Sequence, residues 1–450
     1  MSASAERVIV VGGGLAGIAA ALDCATGGAA VTLVEVRPRL GGAAYSFARE
    51  GLWLDNGQHV FLRCCTAYRG LLARLGSARD TVLQDRLAIP VLAPGGRTAW
   101  LRRAALPAPL HLAPALLRYH HLRPVERLAA ARAALALARV DPDDPAAETR
   151  SFGDWLAERG QTARAVERLW ELISRPTLNV RAGDSSLAAA AFVFRVGLLE
   201  RADAGDIGYA RAPLQSVHGD AARRALAQAG VEVRLGWRAE RIDPADLSVE
   251  GNGERLPAAA VILAVPHERA ARLLPEGALR ERDRLGRLGT SPIVNLHFVY
   301  DRRVMEVPFI AAVASPVQYV FDRTDTSGVP AGQCLAVSLS AADEESELAA
   351  EALRARFEPA LGELLPAARG ARVERFVVTR EHGATFRPAA GARVLRPPAR
   401  TGIGGLALAG AWTDTGWPAT MEGAVRSGHA AARVALAALG HERAIQEAVA

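Results

Sequence analysis

The chain has 450 residues, 50% of them hydrophobic, and a formal net charge of +6 at pH 7. This length exceeds what one hydrophobic core usually supports, so we expect two domains. All 54 basic residues are arginine, and the lack of lysine excludes a P-loop lysine, a Schiff-base lysine and a lysine general base. Because the arginines are scattered among alanine and leucine without interleaved aromatics, we expect no nucleic-acid partner.

The sequence carries no obvious targeting or metal-binding segment. No stretch approaches the roughly 20 uninterrupted apolar residues of a membrane-spanning helix, and residues 1–6 lead directly into a strand. We therefore expect a cytoplasmic protein without a signal peptide. The four cysteines lack the spacing of a metal site or a disulfide framework, which favours reduced thiols and no metal: Cys24, Cys64, Cys65 and Cys334.

The first 35 residues predict one βαβ unit. Residues 7–11 form the apolar run of a buried parallel strand, residues 15–26 carry helical spacing, and residues 30–34 predict a second buried strand. We expect these strands to pair in parallel through a right-handed crossover.

A glycine-rich turn connects the first strand to the helix. Gly12, Gly14 and Gly17 occupy the three positions of a dinucleotide-binding fingerprint: the first permits a tight turn, the second lets backbone approach a pyrophosphate, and the third lets helix and strand pack closely. Glu35 ends the second strand, where a carboxylate can accept hydrogen bonds from an adenosine ribose. The unit therefore predicts a dinucleotide site, whose further predicted contacts are Leu15, Ala16 and Val36.

The rest of the chain predicts a helical segment followed by strands. Residues 66–205 are rich in alanine, leucine and arginine and are broken by prolines, which favours a separate helical layer. Strand signals return at residues 231–235, 260–266, 292–300, 333–340 and 405–410. Val233 in the first of these is a further predicted cofactor contact. Residues 421–439 have the small-residue spacing of a closing helix.

The segment after Glu35 resembles the FAD-dependent desaturase and amine-oxidase superfamily. Members continue with acid-x-Arg-x-x-x-Gly-Gly, which Glu35, Arg37, Gly41 and Gly42 match position by position. In the superfamily the arginine meets phosphate and the Gly-Gly pair, here followed by Ala43, lets the chain pass close to the flavin. The resemblance implies FAD, bound non-covalently because the last cysteine, Cys334, is far from the closing motif.

The same resemblance implies an α/β fold. A Rossmann-like FAD-binding domain of the glutathione-reductase type is expected to be interleaved with an α+β substrate domain. We expect the FAD-binding domain over residues 1–75, 206–270 and 375–450. The substrate-binding domain, helical and then β-rich, is expected over residues 76–205 and 271–374.

Two further motifs, residues 55–59 and 410–424, are similar to hydroxysqualene dehydroxylases, also described as squalene-associated FAD-dependent desaturases. That family reductively removes the hydroxyl of hydroxysqualene to give squalene for hopanoid synthesis. One position departs from the superfamily, because many members have Gly-Asp where this chain has Gly410-Ala411. Whether Asp414 replaces the missing carboxylate is left open.

The resemblance implies a reaction and its residues. An allylic hydroxyl leaves and hydride arrives from N5 of reduced flavin, so the protein must protonate or hydrogen-bond the leaving oxygen. His59, Asp55 and Gln58 are the predicted catalytic residues, although a structural histidine is as good a reading of His59 and Asp55 is better explained as structural. Asn56 and Gly57 would lie near the ring. The segment that leads into the closing helix supplies the remaining predicted cofactor contacts: Gly410, Trp417, Ala419, Thr420 and Met421.

Partners and alternatives follow from the same features. We expect a long-chain isoprenoid substrate, with other squalene-pathway enzymes as possible partners. Residues 104–140 are apolar and basic, which suits either attachment to anionic lipid at the inner face of the cell membrane or an amphipathic lid. A carotenoid or phytoene-type desaturase is the nearest alternative, an amine or protoporphyrinogen oxidase is weakened by the absence of lysine, and a non-catalytic flavin-binding protein is the alternative from another class.

Overall fold

The computed structural model describes residues 7–441. The predicted start without a signal peptide and the outer ends of the predicted FAD-binding domain, residues 1–6 and 442–450, lie outside the described residues. The strands in chain order are β1 (Arg7–Val11), β2 (Ala30–Glu35), β3 (Ser46–Arg49), β4 (Leu52–Asp55), β5 (Val60–Leu62), β6 (Thr81–Leu83), β7 (Ala88–Ala93), β8 (Arg97–Arg102), β9 (Ile207–Ala210), β10 (Glu232–Leu235), β11 (Ala239–Ile242), β12 (Val249–Gly251), β13 (Glu254–Leu256), β14 (Ala260–Leu263), β15 (Ser291–Tyr300), β16 (Phe309–Ala312), β17 (Tyr319–Asp322), β18 (Gln333–Ser340), β19 (Val373–Thr385) and β20 (Leu406–Leu408).

The α-helices cover the sheets and form one helical region. In chain order they are α1 (Leu15–Thr26), α2 (Thr66–Arg74), α3 (Ala113–Arg118), α4 (Pro124–Leu137), α5 (Pro145–Thr149), α6 (Phe152–Glu158), α7 (Ala163–Ala165), α8 (Glu171–Leu178), α9 (Leu187–Phe194), α10 (Ala221–Gln228), α11 (His267–Leu273), α12 (Thr324–Ser327), α13 (Asp343–Glu347), α14 (Ala350–Leu364) and α15 (Met421–Ala438). Within residues 7–441, no helix is both long and apolar enough to cross a bilayer.

A five-stranded parallel sheet has the order β10-β2-β1-β14-β20. Its alternate side chains point to opposite faces. Val8 and Val10 pack under α1 and α15, while Ile9 and Val11 pack against α11 and the small sheet β11–β13. This double cover explains why the strands read as continuous apolar runs. The predicted βαβ unit and Rossmann-like parallel sheet are confirmed.

A second sheet of seven strands has the order β19-β15-β18-β17-β16-β7-β8, with α14 on one face. It corrects the prediction of a separate helical layer over residues 66–205, because β6, β7 and β8 fall within that segment. Gly95 and Gly96 have positive φ and close the β7–β8 hairpin. On its other side β7 pairs in parallel with β16, some 220 residues later in the chain. The strand is thus specified by a distant partner.

The two sheets meet at the β3–β4 hairpin. Side chains along β15 alternate, so Val294, Leu296 and Phe298 enter the core beneath α14. Asn295 and Val299 point the other way, and Val299 packs against Leu54 of β4. The loop that follows β4, residues 56–59, is therefore held between the parallel sheet and β15.

Candidate active site

A cradle of bare backbone lies at the end of β1. Gly12 has φ +114°, and a Cβ there would stand 2.3 Å from the Ala264 carbonyl oxygen, while a Cβ on Gly17 would stand 1.9 Å from the Gly12 oxygen. A Cβ on Gly14 would meet only Gly42, at 3.7 Å. The first and third glycines are therefore required by packing and the second leaves open space, as a pyrophosphate site needs.

The Gly41-Gly42 turn closes over this cradle. The Gly41 amide donates to the Gly13 carbonyl at 2.9 Å. Gly42 has φ +60°, and a Cβ there would stand only 2.7 Å from the Gly14 Cα. No side chain fits between the two loops without separating them.

Glu35 ties the cradle to the end of β2. One carboxylate oxygen accepts from the Gly13 amide at 2.7 Å and the other from the Arg37 amide at 2.7 Å. A carboxylate has about four acceptor sites, so it can still accept ribose hydroxyls. Arg37 itself is exposed. Arg39 turns inward instead, donating to the Gly42 carbonyl at 3.1 Å and stacking 3.4 Å above the Tyr45 ring.

The predicted cofactor contacts gather at the C-terminal edge of the parallel sheet. They are Gly12, Gly14, Leu15, Ala16 and Gly17 at the β1–α1 junction, Glu35, Val36, Arg37, Gly41, Gly42 and Ala43 after β2, and Gly410, Trp417, Ala419, Thr420 and Met421 between β20 and α15. Val233 lies opposite Leu33 inside the sheet, two residues before β10 ends. Asn56 and Gly57 approach from the β3–β4 hairpin.

Asn56 fastens the 56–59 loop to the Gly-Gly turn. Its side-chain amide donates to the Ala43 carbonyl at 2.8 Å, and its side-chain oxygen accepts from the Tyr45 amide at 3.0 Å. From the other sheet, Asn295 and Thr379 donate to the Asn56 backbone carbonyl at 2.9 and 3.2 Å. These hydrogen bonds fix Asn56 in place, and they position the neighbouring Gln58 and His59 beside the glycine cradle.

Asp55 forms a buried ion pair with Arg323. The guanidinium donates to one carboxylate oxygen at 2.5 Å, and the other oxygen accepts from the Ser46 hydroxyl at 2.6 Å and the Leu214 amide at 3.1 Å. Arg323 also donates to the Ala210 carbonyl at 2.8 Å. The three partners of Asp55 come from three separate segments of the chain, so Asp55 acts as a junction that positions the loop beside it.

Three histidines surround this ion pair. Burial lowers the pKa of His59 to about 4; the negative charge of Asp55 opposes this shift, and the positive charge of Arg323 adds to it. Burial likewise lowers the pKa of His218 and of His297 to about 4. All three are therefore neutral at pH 7, and each neutral ring offers one N–H donor and one acceptor.

Several polar atoms around the loop are buried without a partner in the described part of the chain. They are the side-chain nitrogen of Gln58, the side-chain oxygen of Asn295, both ring nitrogens of His297 and the Nε of Arg323. Each such atom costs about 1–3 kcal/mol unless something bonds to it. Gln58, His59 and Arg323 also line a small cavity with Tyr209 and Phe321. A polar group of a ligand in this cavity would meet unpartnered hydrogen-bond donors on Gln58 and Arg323.

The closing motif lies across the sheet edge from this pocket. The Thr420 side chain caps α15 by accepting from the Gly423 amide at 3.1 Å, leaving the first N–H groups of the helix for a ligand. Asp414 accepts from the Gly416 amide at 3.2 Å and lies 3.9 Å from Arg393. Arg396 donates to the carbonyls of Thr413 and Trp417 at 2.5 and 2.8 Å. The hydrogen bond that Asp414 accepts thus lies within its own turn.

A cleft of about 330 Å³ with both apolar and charged lining residues opens beside the same motif. Phe192 packs edge-on against Trp417 with ring centroids 5.1 Å apart. Alanine and valine side chains of the α9 region and Phe386 complete an apolar lining, while arginines and carboxylates stand among them.

Several residues of the site were not predicted from the sequence. Arg323 and Asn295 are distant in the chain, and Glu422 is buried in the first turn of α15, where it accepts from the Ala67 and Tyr68 amides at 3.1 and 2.7 Å. One signal was available for His297: polar residues at 295 and 297 alternate with apolar ones in an otherwise buried strand.

This fold and cradle define a flavin-dependent oxidoreductase. A family model described as "Flavin containing amine oxidoreductase" matches residues 15–436. The chain belongs to that family, and the bare-backbone cradle with Glu35 at its edge fits its cofactor, FAD.

Known proteins are similar to this chain over nearly its whole length. Hydroxysqualene dehydroxylase of Rhodopseudomonas palustris is 30% identical over 444 residues, which cover 96% of this chain and 99% of the relative. Zeta-carotene desaturase of Zea mays is 25% identical and covers 94% and 82%. The structure of putrescine oxidase bound to putrescine superposes with a TM-score of 0.69 at 20% identity, covering 99% of both chains. The resemblance to hydroxysqualene dehydroxylases is confirmed, and the oxidase supports the fold alone.

Proposed function

We propose that this protein catalyses the FAD-dependent reductive dehydroxylation of hydroxysqualene to squalene. The carrying observation is the 30% identity to a hydroxysqualene dehydroxylase over 99% of that relative. The buried pocket of unpartnered polar atoms beside the flavin cradle supports it. Overall, hydroxysqualene and FADH2 would give squalene, water and FAD: the hydroxyl takes up one further proton and leaves as water when the C–O bond breaks, and a hydride forms the new C–H bond. Reduced FAD supplies the hydride and ends oxidised.

The polar pocket would hold the leaving oxygen. The free side-chain N–H of Gln58 and the neutral ring of His59 can both donate to a hydroxyl oxygen in this cavity. With its pKa near 4, His59 is a hydrogen-bond donor at pH 7 and not an imidazolium acid. We assign Asp55 a positioning role, because both of its oxygens are already bonded to Arg323, Ser46 and Leu214.

The cleft beside Trp417 would hold the isoprenoid chain. The chain would lie along the side of the cleft formed by Phe192, Phe386 and Trp417, away from the arginines and carboxylates that line the rest of it. Exclusion of water there would protect a cation-like carbon from capture by solvent.

The test is incubation of the purified, flavin-reduced protein with hydroxysqualene, and separately of the oxidised protein with phytoene and zeta-carotene, with products identified by mass. We expect squalene from the first and no desaturated product from the others. Gln58→Leu and His59→Leu should each lower the rate of squalene formation about tenfold or more while FAD stays bound. His120→Leu, an exposed histidine on another element, is the control. Desaturated carotenoid without squalene would replace the proposal with a carotenoid desaturase, which the similarity to zeta-carotene desaturase makes the second candidate.

A further inference from the structure

The segment from Leu106 to Leu135 exposes an unusual set of apolar side chains. In residues 7–441, ten large hydrophobic side chains are exposed, and six of them lie in this segment. Single exposed leucines are normal on a protein surface, but a cluster marks an interaction site. We call the cluster the leucine surface: Leu106, Leu110, Leu117, Val125, Leu128 and Leu135.

Helix α4 shows that the exposure is directional. Its buried residues Glu126, Ala130, Ala133 and Leu137 recur at helical spacing and face the protein. At 100° per residue, Val125, Leu128, Arg132 and Leu135 fall on the opposite side. A surface helix normally places polar residues there. On α4 the outward stripe is apolar apart from Arg132, with Leu128 54% and Leu135 50% exposed.

Neighbouring elements carry further exposed leucines. Helix α3 packs against both α4 and β8, and it carries Leu117, which is 71% exposed. Leu110 lies in the turn that leads into α3. Trp100 of β8 is half-buried under the guanidinium of Arg102, 3.7 Å from its ring.

The solvent-exposed charge of the segment is positive. Residues 97–140 contain eight arginines and one acidic residue, Glu126. Glu126 is buried and occupied, because it accepts from the Arg123 amide at 2.8 Å and the Thr162 hydroxyl at 2.8 Å. The charges that face solvent are therefore those of exposed arginines: Arg97, Arg102, Arg118, Arg123, Arg132 and Arg139.

We propose that the leucine surface docks on an anionic lipid bilayer, with the leucines at the acyl boundary and the arginines at the phosphates. Apolar area combined with basic charge is the chemistry of interfacial helices. A second copy of the chain fits less well, since a two-fold contact would set the arginines against themselves. The proposal does not depend on which substrate the enzyme reduces, and detergent-dispersed substrate tests the reaction separately.

The test is co-sedimentation of the FAD-loaded protein with vesicles of phosphatidylcholine alone or mixed with phosphatidylglycerol. We expect binding to the anionic vesicles at about 0.1 M salt, and much weaker binding at about 1 M, where the screening length falls to roughly 3 Å. Arg118→Ala and Arg132→Ala should each weaken the partition coefficient about fivefold. The triple variant L117Q/L128Q/L135Q should weaken it at least tenfold.

Matched controls separate docking from misfolding and from self-association. Trp53→Gln removes an exposed apolar side chain of β4, 47% exposed, and should leave vesicle binding unchanged. All variants should keep the wild-type ratio of flavin to protein, because the changed side chains are outside the core. Equal sedimentation of every variant, or no preference for anionic vesicles, would overturn the proposal. So would a wild-type dimer that the triple variant converts to a monomer.

Discussion

At the scale of single residues, Gly42 gives the sharpest test of the cofactor site. Gly42→Ala adds a Cβ that would stand 2.7 Å from the Gly14 Cα, at φ +60°. The cradle must open, so we expect the purified variant to retain less than about a tenth of the wild-type FAD, measured by the flavin-to-protein absorbance ratio. Gly51→Ala is the control, because φ there is +79° and nothing lies within 4 Å. Equal loss in both variants would mean that backbone strain alone is responsible.

The residue scale also shows how far the sequence reaches. Gly12, Gly14 and Gly17 were predictable because their spacing within one short segment is itself the pattern of a dinucleotide-binding turn. Arg323 was not, because its significance depends on meeting Asp55 across 268 residues of chain. A buried ion pair leaves no local pattern. The unpartnered atoms of Asn295 and His297 are likewise visible only once β15 has been placed beside the 56–59 loop.

At the scale of elements, Glu422 connects the closing helix to α2. Its side chain is 1% exposed and accepts from two amides at the start of α2 and from Arg426 at 2.7 Å. Glu422→Gln removes the charge that the start of α2 favours, and we expect a loss of about 2–3 kcal/mol in stability. A fall in the urea midpoint measures it. Glu351→Gln, exposed in the first turn of α14, should leave the midpoint nearly unchanged; a similar fall there would contradict the account.

Elements with local signals were predicted well and those defined by partners were not. The residues of β1, α1, β2 and α15 were recovered to within a residue or two, since apolar periodicity and glycine stops mark them. In contrast, β7 and β8 were read as helical. Alanine and leucine favour a helix locally, but β7 is stabilised as a strand by its pairing with β16. The local sequence gives no sign of that distant partner.

At the scale of the whole molecule, the junction between the two sheets predicts sensitivity to acid. His59, His218 and His297 come from three separate segments and lie around Asp55 and Arg323, with His218 and His297 fully buried and His59 partly exposed. Their folded-state pKa values near 4 lie below the ordinary 6.5. Between these values the unfolded chain binds more protons than the folded one. The free energy of unfolding should therefore decrease as the pH falls from about 6.5 to about 4.

His297 isolates this effect, because it is 2% exposed and its ring faces the Asp55 backbone without a hydrogen bond of good geometry in the described structure. At about 1.4 kcal/mol per pKa unit, it should account for roughly 3 kcal/mol of the acid loss. We expect the urea midpoint of His297→Gln to fall less between pH 7 and pH 5 than that of the wild type. The slope is the readout, so a constant loss of stability from the substitution does not matter. His120→Gln, an exposed histidine, should keep the wild-type slope. If His297→Gln also kept the wild-type slope, the prediction would be wrong. The His297 ring would then take up its proton in the folded state, with a neighbouring group stabilising the positive charge.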